Sequence, residues 1–145
     1  MDDEMKDKIH ELRKNGWLDV WFAFDVLGVN KEIIESSLKN HISRIENLNV
    51  TFVYEKDVKS ADKVDNPPKG VEEAWSQVVE LKLFIKSFPD LINIIYLYGP
   101  SAIEIMAPEK KELKLEEMQD IANSLAGIMH QFAAAGAGGV IITPK

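Results

Sequence analysis

The sequence predicts an α+β fold in which helices cover one face of an antiparallel sheet. The main observation is the order strand–helix–strand–strand–helix–strand between Trp17 and Pro108. A second is the segment Trp17 to Gly28, where apolar residues alternate with others as on a strand. The chain has 145 residues and no internal repeat, so we expect one domain, 1–145. Its expected parts are an N-terminal helix (1–16), a core (17–108), and a C-terminal helix and strand (109–145).

The first predicted element is a short amphipathic helix over Asp2 to Asn15, with apolar residues at i, i+4 and i+7 and Gly16 as its stop. The strand Trp17 to Gly28 then has two unlike faces. The face expected in the core carries Leu18, Val20, Phe22, Phe24 and Val26. The opposite face carries Trp17, Asp19, Trp21, Ala23 and Asp25.

A second helix is predicted from the N-cap residue Asn30 to about Glu46, because Ile34, Leu38, Ile42 and Ile45 recur at helical spacing. Two strands follow, one from Val50 to Asp57 and a longer one from about Glu73 to Lys86. The stretch 59–70 between them is charged and contains two adjacent prolines, which predicts a long flexible loop.

Residues 88–98 fit two structures. The β-branched and aromatic residues of LINIIYLY favour a strand, whereas Ser87 followed by Pro89 and then Gly99–Pro100 favour a helix with a defined start and stop. We expect a helix, because it supplies the crossover that the fold needs. A short strand, 102–107, comes next. The last helix has one apolar stripe, which comprises Leu115, Met118, Ile121, Ala122, Leu125, Ile128, Met129 and Phe132. A final strand is predicted at 140–143.

This β–α–β–β–α–β order resembles the ferredoxin-like superfold, with a helix in front and a helix and strand appended. Within that class the chain is similar to ACT-type regulatory modules. The segment SFPDLINIIYLYGPSAIEIMAP also looks like the closing helix–Gly-Pro–strand unit of the ferredoxin-like domain in WYL-type transcription regulators. Since the sequence has neither a helix-turn-helix nor a WYL motif, the resemblance implies a fold and not DNA-linked regulation.

Composition restricts the function classes. The formal charge of −7 argues against a nucleic-acid partner, which needs clustered Lys and Arg. The lack of cysteine removes disulfides and thiolate metal sites. The N-terminus is acidic and polar, unlike a signal peptide, and the longest apolar stretch is too short to span a bilayer. We therefore expect a soluble cytoplasmic protein that acts on neither nucleic acid nor membrane.

The second face of the first strand carries the strongest functional indication. Asp19, Trp21 and Asp25 share this face, and Thr51 and Glu55 should lie beside them if the first two strands are neighbours. Tryptophan is enriched in interface cores, and carboxylates beside it suggest recognition. Three interpretations stay open: a partner surface, a second core covered by the first or last helix, or a small-molecule site.

His130 points away from the apolar stripe of the last helix, toward a face of small residues that includes Ala126 and Gly127. Such a face could meet a second subunit, or line a pocket with His130 as the proton-exchanging group. We expect His41 to be a partly buried, hydrogen-bonded histidine. Metal-ligand spacing is absent, and the glycines at 136–139 close a helix instead of opening one, unlike a phosphate loop.

Two functions follow as hypotheses. The first is a non-enzymatic regulatory module that forms a homodimer or larger homo-oligomer, binds a small molecule at the seam between its subunits and uses no cofactor. Its copies would pair through their sheet faces or the small-residue helix face. The second is a small enzyme in which His130 and a carboxylate, Glu104 or Asp25, act as acid–base partners.

Overall fold

The strand Leu18–Gly28 lies inside an antiparallel sheet, with a neighbouring strand on each side. The computed structural model describes residues 2–136, and its elements are α1 (Asp3–Lys14), β1 (Leu18–Gly28), α2 (Lys31–Glu46), β2 (Thr51–Val58), β3 (Asp62–Lys63), β4 (Trp75–Ile85), α3 (Phe88–Tyr98), β5 (Ala102–Ala107) and α4 (Leu115–Ala134). The strand order is β2-β4-β1-β5, and β3 pairs with β4. Each pairing is antiparallel. The predicted α+β class is confirmed.

The inner face of the sheet packs against α2 and α3. The alternating residues of β1 and β4 point together into this core, with Val20 opposite Leu83 and Phe22 opposite Leu81. The core residues Leu38 and Leu91 come from α2 and α3. The apolar periodicity read from the sequence thus marks the inner face correctly.

The segment 88–98 is a helix. Ser87 accepts a hydrogen bond from the Asp90 amide as N-cap, and Gly99 ends the helix in the left-handed conformation (φ 57°). Helix capping and a helix-starting proline therefore outweigh the strand propensity of LINIIYLY. The stretch 59–70 is less irregular than predicted, because Asp62 and Lys63 form β3 against β4. The strand predicted at 140–143 lies outside the described residues.

The outer face of the sheet is covered over one half by α1. Ile9 and Leu12 of α1 are buried against Phe84 of β4, with Phe52 and Tyr54 of β2 packed beside them. Helix α4 instead packs against α3. The α4 residues 117, 121, 124 and 128 are partly buried, whereas most of the stripe predicted from the sequence stays exposed.

Gly28 allows β1 to end against the start of α2. A β-carbon at this position would overlap Cγ2 of Ile34, a buried and β-branched side chain that cannot easily move. We expect Gly28→Ala to lower the free energy of unfolding by about 1–3 kcal/mol, as overpacking does. Urea unfolding followed by circular dichroism measures this.

Gly127→Ala is the matched control, because nothing lies within 4 Å of a β-carbon added there and the residue is inside α4. It should stabilise the protein by up to about 1 kcal/mol through helix propensity. Equal effects of the two substitutions would contradict the close approach at Gly28.

Candidate functional site

Asp19 is enclosed between the sheet and α1. Asp19 is only 4% exposed, yet both of its carboxylate oxygens have partners. The hydroxyl of Tyr54 donates to Oδ1 at 2.7 Å, and Nη2 of Arg13 donates to Oδ2 at 3.3 Å. A buried carboxylate needs such partners, so this cluster fixes α1 on the outer face. At Asp19 the outer face is therefore covered by α1, which agrees with one of the three interpretations, a second core under the first or last helix.

Thr51 lies away from Asp19, although alternation placed the two on one face. The side chain of Thr51 is buried and donates to the carbonyl oxygens of Ile45 and Leu48, at 2.6 and 3.2 Å. There are two physical reasons. Strand β4 lies between β1 and β2, so the first two strands are not the neighbours that the expectation required, and a bulge between Val53 and Glu55 puts Thr51 and Glu55 on opposite faces. Thr51 thus anchors the end of α2, and the expectation that it shares the outer face with Asp19 is wrong.

The half of the outer face that α1 leaves open forms what we call the outer patch. Trp21 is half-buried at its centre, and a shallow cavity of about 240 Å³ adjoins it. The carboxylates there have cationic partners. Lys82 lies 3.2 Å from Glu55, and Lys59 contacts the carboxylates of Asp57 and Glu80. The lining residues are Trp21, Glu55, Asp57, Glu80, Leu81 and Lys82.

Two other predicted residues border the outer patch. Glu104 lies opposite Trp21 in the β1–β5 register and is exposed. Asp25 is also exposed, four residues further along β1 and opposite Val78. The structure therefore brings Trp21, Glu104 and Asp25 to one face, as the strand alternation indicates.

The histidines are separate from this face. His130 is exposed on α4, and within residues 2–136 no hydrogen bond joins it to a carboxylate. His41 bonds through Nε2 to the carbonyl of Tyr98 at 2.7 Å and packs edge-on against Phe24. The expected hydrogen-bonded role of His41 is confirmed, and it links α2 to the end of α3.

A groove between α2 and the strands β2 and β4 was missed by sequence reasoning. We call it the α2–β2 groove; its cavity volume is about 440 Å³. Its floor is apolar, from Leu38 and Ile42 of α2 and Val79 of β4, and Val58 forms an exposed wall. The rim is charged but balanced, with Glu35, Lys39, Glu46 and Lys56.

One buried polar group lines the α2–β2 groove. Gln77 is 5% exposed, and its Nε2 donates to the carbonyl of Lys59 at 2.9 Å. Its Oε1 is buried and accepts no hydrogen bond from the described residues. Such an orphan acceptor is costly unless something donates to it. The sequence signal was a glutamine in the otherwise apolar inner row of β4.

Residues 2–136 show neither a metal cluster nor a membrane-spanning helix. In that range, no group of three or more His, Asp or Glu side chains is arranged to hold a metal ion. None of the helices described there has the length and hydropathy to span a bilayer.

Comparison with known proteins gives the family. The model of the MJ0538 family matches residues 19–144, which is most of the chain. The chain belongs to the MJ0538 family. One relative, "Uncharacterized protein MJ0538" of Methanocaldococcus jannaschii, is 26% identical over 130 residues, or 90% of this chain and 45% of the relative. The chain thus spans less than half the length of that relative. Neither description names an activity, a ligand or a partner.

The Tyr54–Asp19 bond of this MJ0538-family chain predicts a pH dependence of stability. Burial, this hydrogen bond and the charge of Asp19 raise the pKa of Tyr54 well above its ordinary value of 10.0. The folded protein therefore holds the phenol proton more tightly than the unfolded chain does. The stabilisation is complete below pH 10.0 and is lost as the pH rises toward the folded-state pKa.

We expect Tyr54→Phe to cost about 1–3 kcal/mol at neutral pH, because a buried carboxylate loses a donor. The difference from the unmodified protein should shrink as unfolding is measured above pH 10.0. Tyr96→Phe, at an exposed position, is the control and should change little at any pH. A Tyr54→Phe difference that stays constant with pH would contradict the proposed linkage.

Proposed function

We propose that this chain is a non-enzymatic, homo-oligomeric module of ferredoxin-like topology that binds a small molecule and regulates association of its copies. The strand order β2-β4-β1-β5, with α2 and α3 on one face, supports the ferredoxin-like assignment of residues 17–108. The similarity to ACT-type modules suggests the regulatory role.

The α2–β2 groove carries the ligand-binding part of this proposal. Small-molecule sites are concave and mostly apolar, with a few polar groups that orient the ligand. The groove has the required volume, an apolar floor and one buried amide oxygen, Gln77 Oε1, to which no group in residues 2–136 donates. Because this oxygen has almost no solvent contact, a ligand N–H or O–H group would reach it once the Gln77 side chain turns toward the groove, while the ligand's apolar body covers Leu38 and Val79.

The ligand class follows from these groups. It is a small molecule with an apolar body, one hydrogen-bond donor directed at Gln77, and polar groups that reach the rim. The rim offers two carboxylates and two ammonium groups, and Lys56 already contacts Glu46 at 3.2 Å. A neutral or zwitterionic ligand therefore fits the rim better than a highly charged one.

A thermal-shift screen of small apolar amines, amides and amino acids tests this function. A ligand that binds only the folded protein stabilises it by about 2.7 kcal/mol at one hundred times its Kd. We expect at least one such compound to raise Tm progressively with its concentration. No concentration-dependent rise across the panel would contradict the ligand-binding proposal.

Two substitutions then locate the bound compound. Val58→Asp places a charge on the exposed wall of the α2–β2 groove and should weaken binding at least tenfold. Val29→Asp is its control, since Val29 and Val58 are similarly exposed, at 66 and 59%. Gln77→Leu should fold but bind donor-bearing compounds more weakly. Equal affinity in Val58→Asp and Val29→Asp would place the ligand elsewhere.

The outer patch has a different character, because its carboxylates already have lysine partners and its cavity is small. We propose it as a partner surface centred on Trp21.

The alternative of a small enzyme stays a prediction, in which His130 would need a carboxylate such as Glu104 or Asp25. Loss of a detected turnover in His130→Ala would support that alternative.

A further inference from the structure

We propose that a second copy of this chain docks on α4, so that two α4 helices pair antiparallel about a two-fold axis. The contact surface, which we call the α4 seam, comprises Leu115, Met118, Ala122, Leu125, Met129 and Phe132. This inference rests on the homo-oligomeric part of the proposed function and names the surface that joins the copies.

The spacing of the seam is that of a helix–helix interface. Its six residues are separated by 3, 4, 3, 4 and 3 positions, an apolar repeat of 3.5 residues along the helix. This repeat keeps one stripe facing a partner helix and places its side chains as knobs in the holes of that helix. A helix needs only one of its faces to pack on one neighbour. Helix α4 packs on α3 through a face other than the seam.

The face toward α3 is distinct from the seam. Ser124 contacts Asn93 of α3 at 3.4 Å, and Ile121 and Ile128 lie on the same partly buried side of α4. The five large seam residues, by contrast, are 46–78% exposed. An amphipathic helix normally buries its apolar stripe, whereas in the part of the chain that the structure describes, residues 2–136, the stripe of α4 stays uncovered.

The exposed area is what a second copy would need to cover. At roughly 200 Å² per large side chain, the seam exposes on the order of 500 Å² of apolar surface per chain. That is near the upper end of the largest patch on typical monomers, about 300–600 Å². Stable interfaces bury about 800 Å² per partner, so the large seam residues alone supply roughly 60% of this area.

Self-complementarity identifies the occupant. In an antiparallel pair Leu115 lies opposite Phe132 of the partner subunit, and Met118 opposite Met129 of the partner subunit. Ala122 then faces Leu125 of the partner subunit, which places a small side chain against a large one. Every seam position thereby meets an apolar position, as a two-fold interface requires.

Charge favours the antiparallel direction. The acidic residues Glu116, Glu117 and Asp120 lie in the first turns of α4, and its second half has no acidic residue. A parallel pair would bring the two acidic ends and both helix dipoles together, which is repulsive. Flanking positions such as Gln119 and Ala126 are neutral, so no like charges oppose contact along the seam.

Light scattering coupled to size exclusion tests the seam. The unmodified chain should have twice the 16.4 kDa mass of one copy. Leu125→Asp should raise the dimer dissociation constant at least a hundredfold, because two like charges would meet near the axis. Met129→Glu is a second variant of the same kind. Gln131→Asp, on the same helix but off the seam, should remain dimeric.

Each outcome decides between the proposals. If the unmodified chain is a dimer and both seam variants are also dimers, the seam is overturned while the homo-oligomeric function stands. A monomeric unmodified chain overturns both, and a mass above two copies overturns the two-fold pair. If the seam variants lower Tm strongly in a monomer, the seam is covered within one chain and the inference fails. Circular dichroism confirms that a monomeric variant is still folded.

Discussion

The burial of Asp19 is the interaction on which the rest of the structure depends. Strand β1 buries Phe22 and its neighbours on the inner face, but the outer face carries a carboxylate at a position with almost no solvent contact. That carboxylate is tolerated because Tyr54 and Arg13 donate to it. Since Arg13 belongs to α1, the same bonds fix α1 across one half of the outer face.

This placement of α1 determines which part of the outer face of the sheet remains exposed. With half of the outer face covered, only the outer patch around Trp21 stays open there. Helix α4 then packs on α3 and keeps its seam exposed. His41 of α2 bonds to Tyr98 at the end of α3, and α3 packs on α4, so contacts run from the helix that lines the α2–β2 groove to the helix that carries the seam.

Local rules predicted much of the fold and less of the site. Alternation along β1 and helical spacing in α2 identified the inner core, and capping residues identified α3, because each depends on neighbours in sequence. Neither the bulge beside Tyr54 nor the position of β4 between β1 and β2 was predictable in this way, so Thr51 was assigned to the wrong face. The α2–β2 groove depends on the distance between a helix and an edge strand. Periodicity carries no information about that distance.

Spin-label distances test the central claim that free surface on α4 joins two copies. Single cysteines at Glu116, Asn123 and His130 suit this cysteine-free chain, since all three are exposed, off the seam and seven residues apart. At 1.5 Å rise per residue, an antiparallel pair predicts the shortest label-to-label distance at position 123. The helix rise should add about 20 Å of axial separation at both 116 and 130. Three equal label-to-label distances, or the absence of any measurable distance between labels on two copies, would contradict the account.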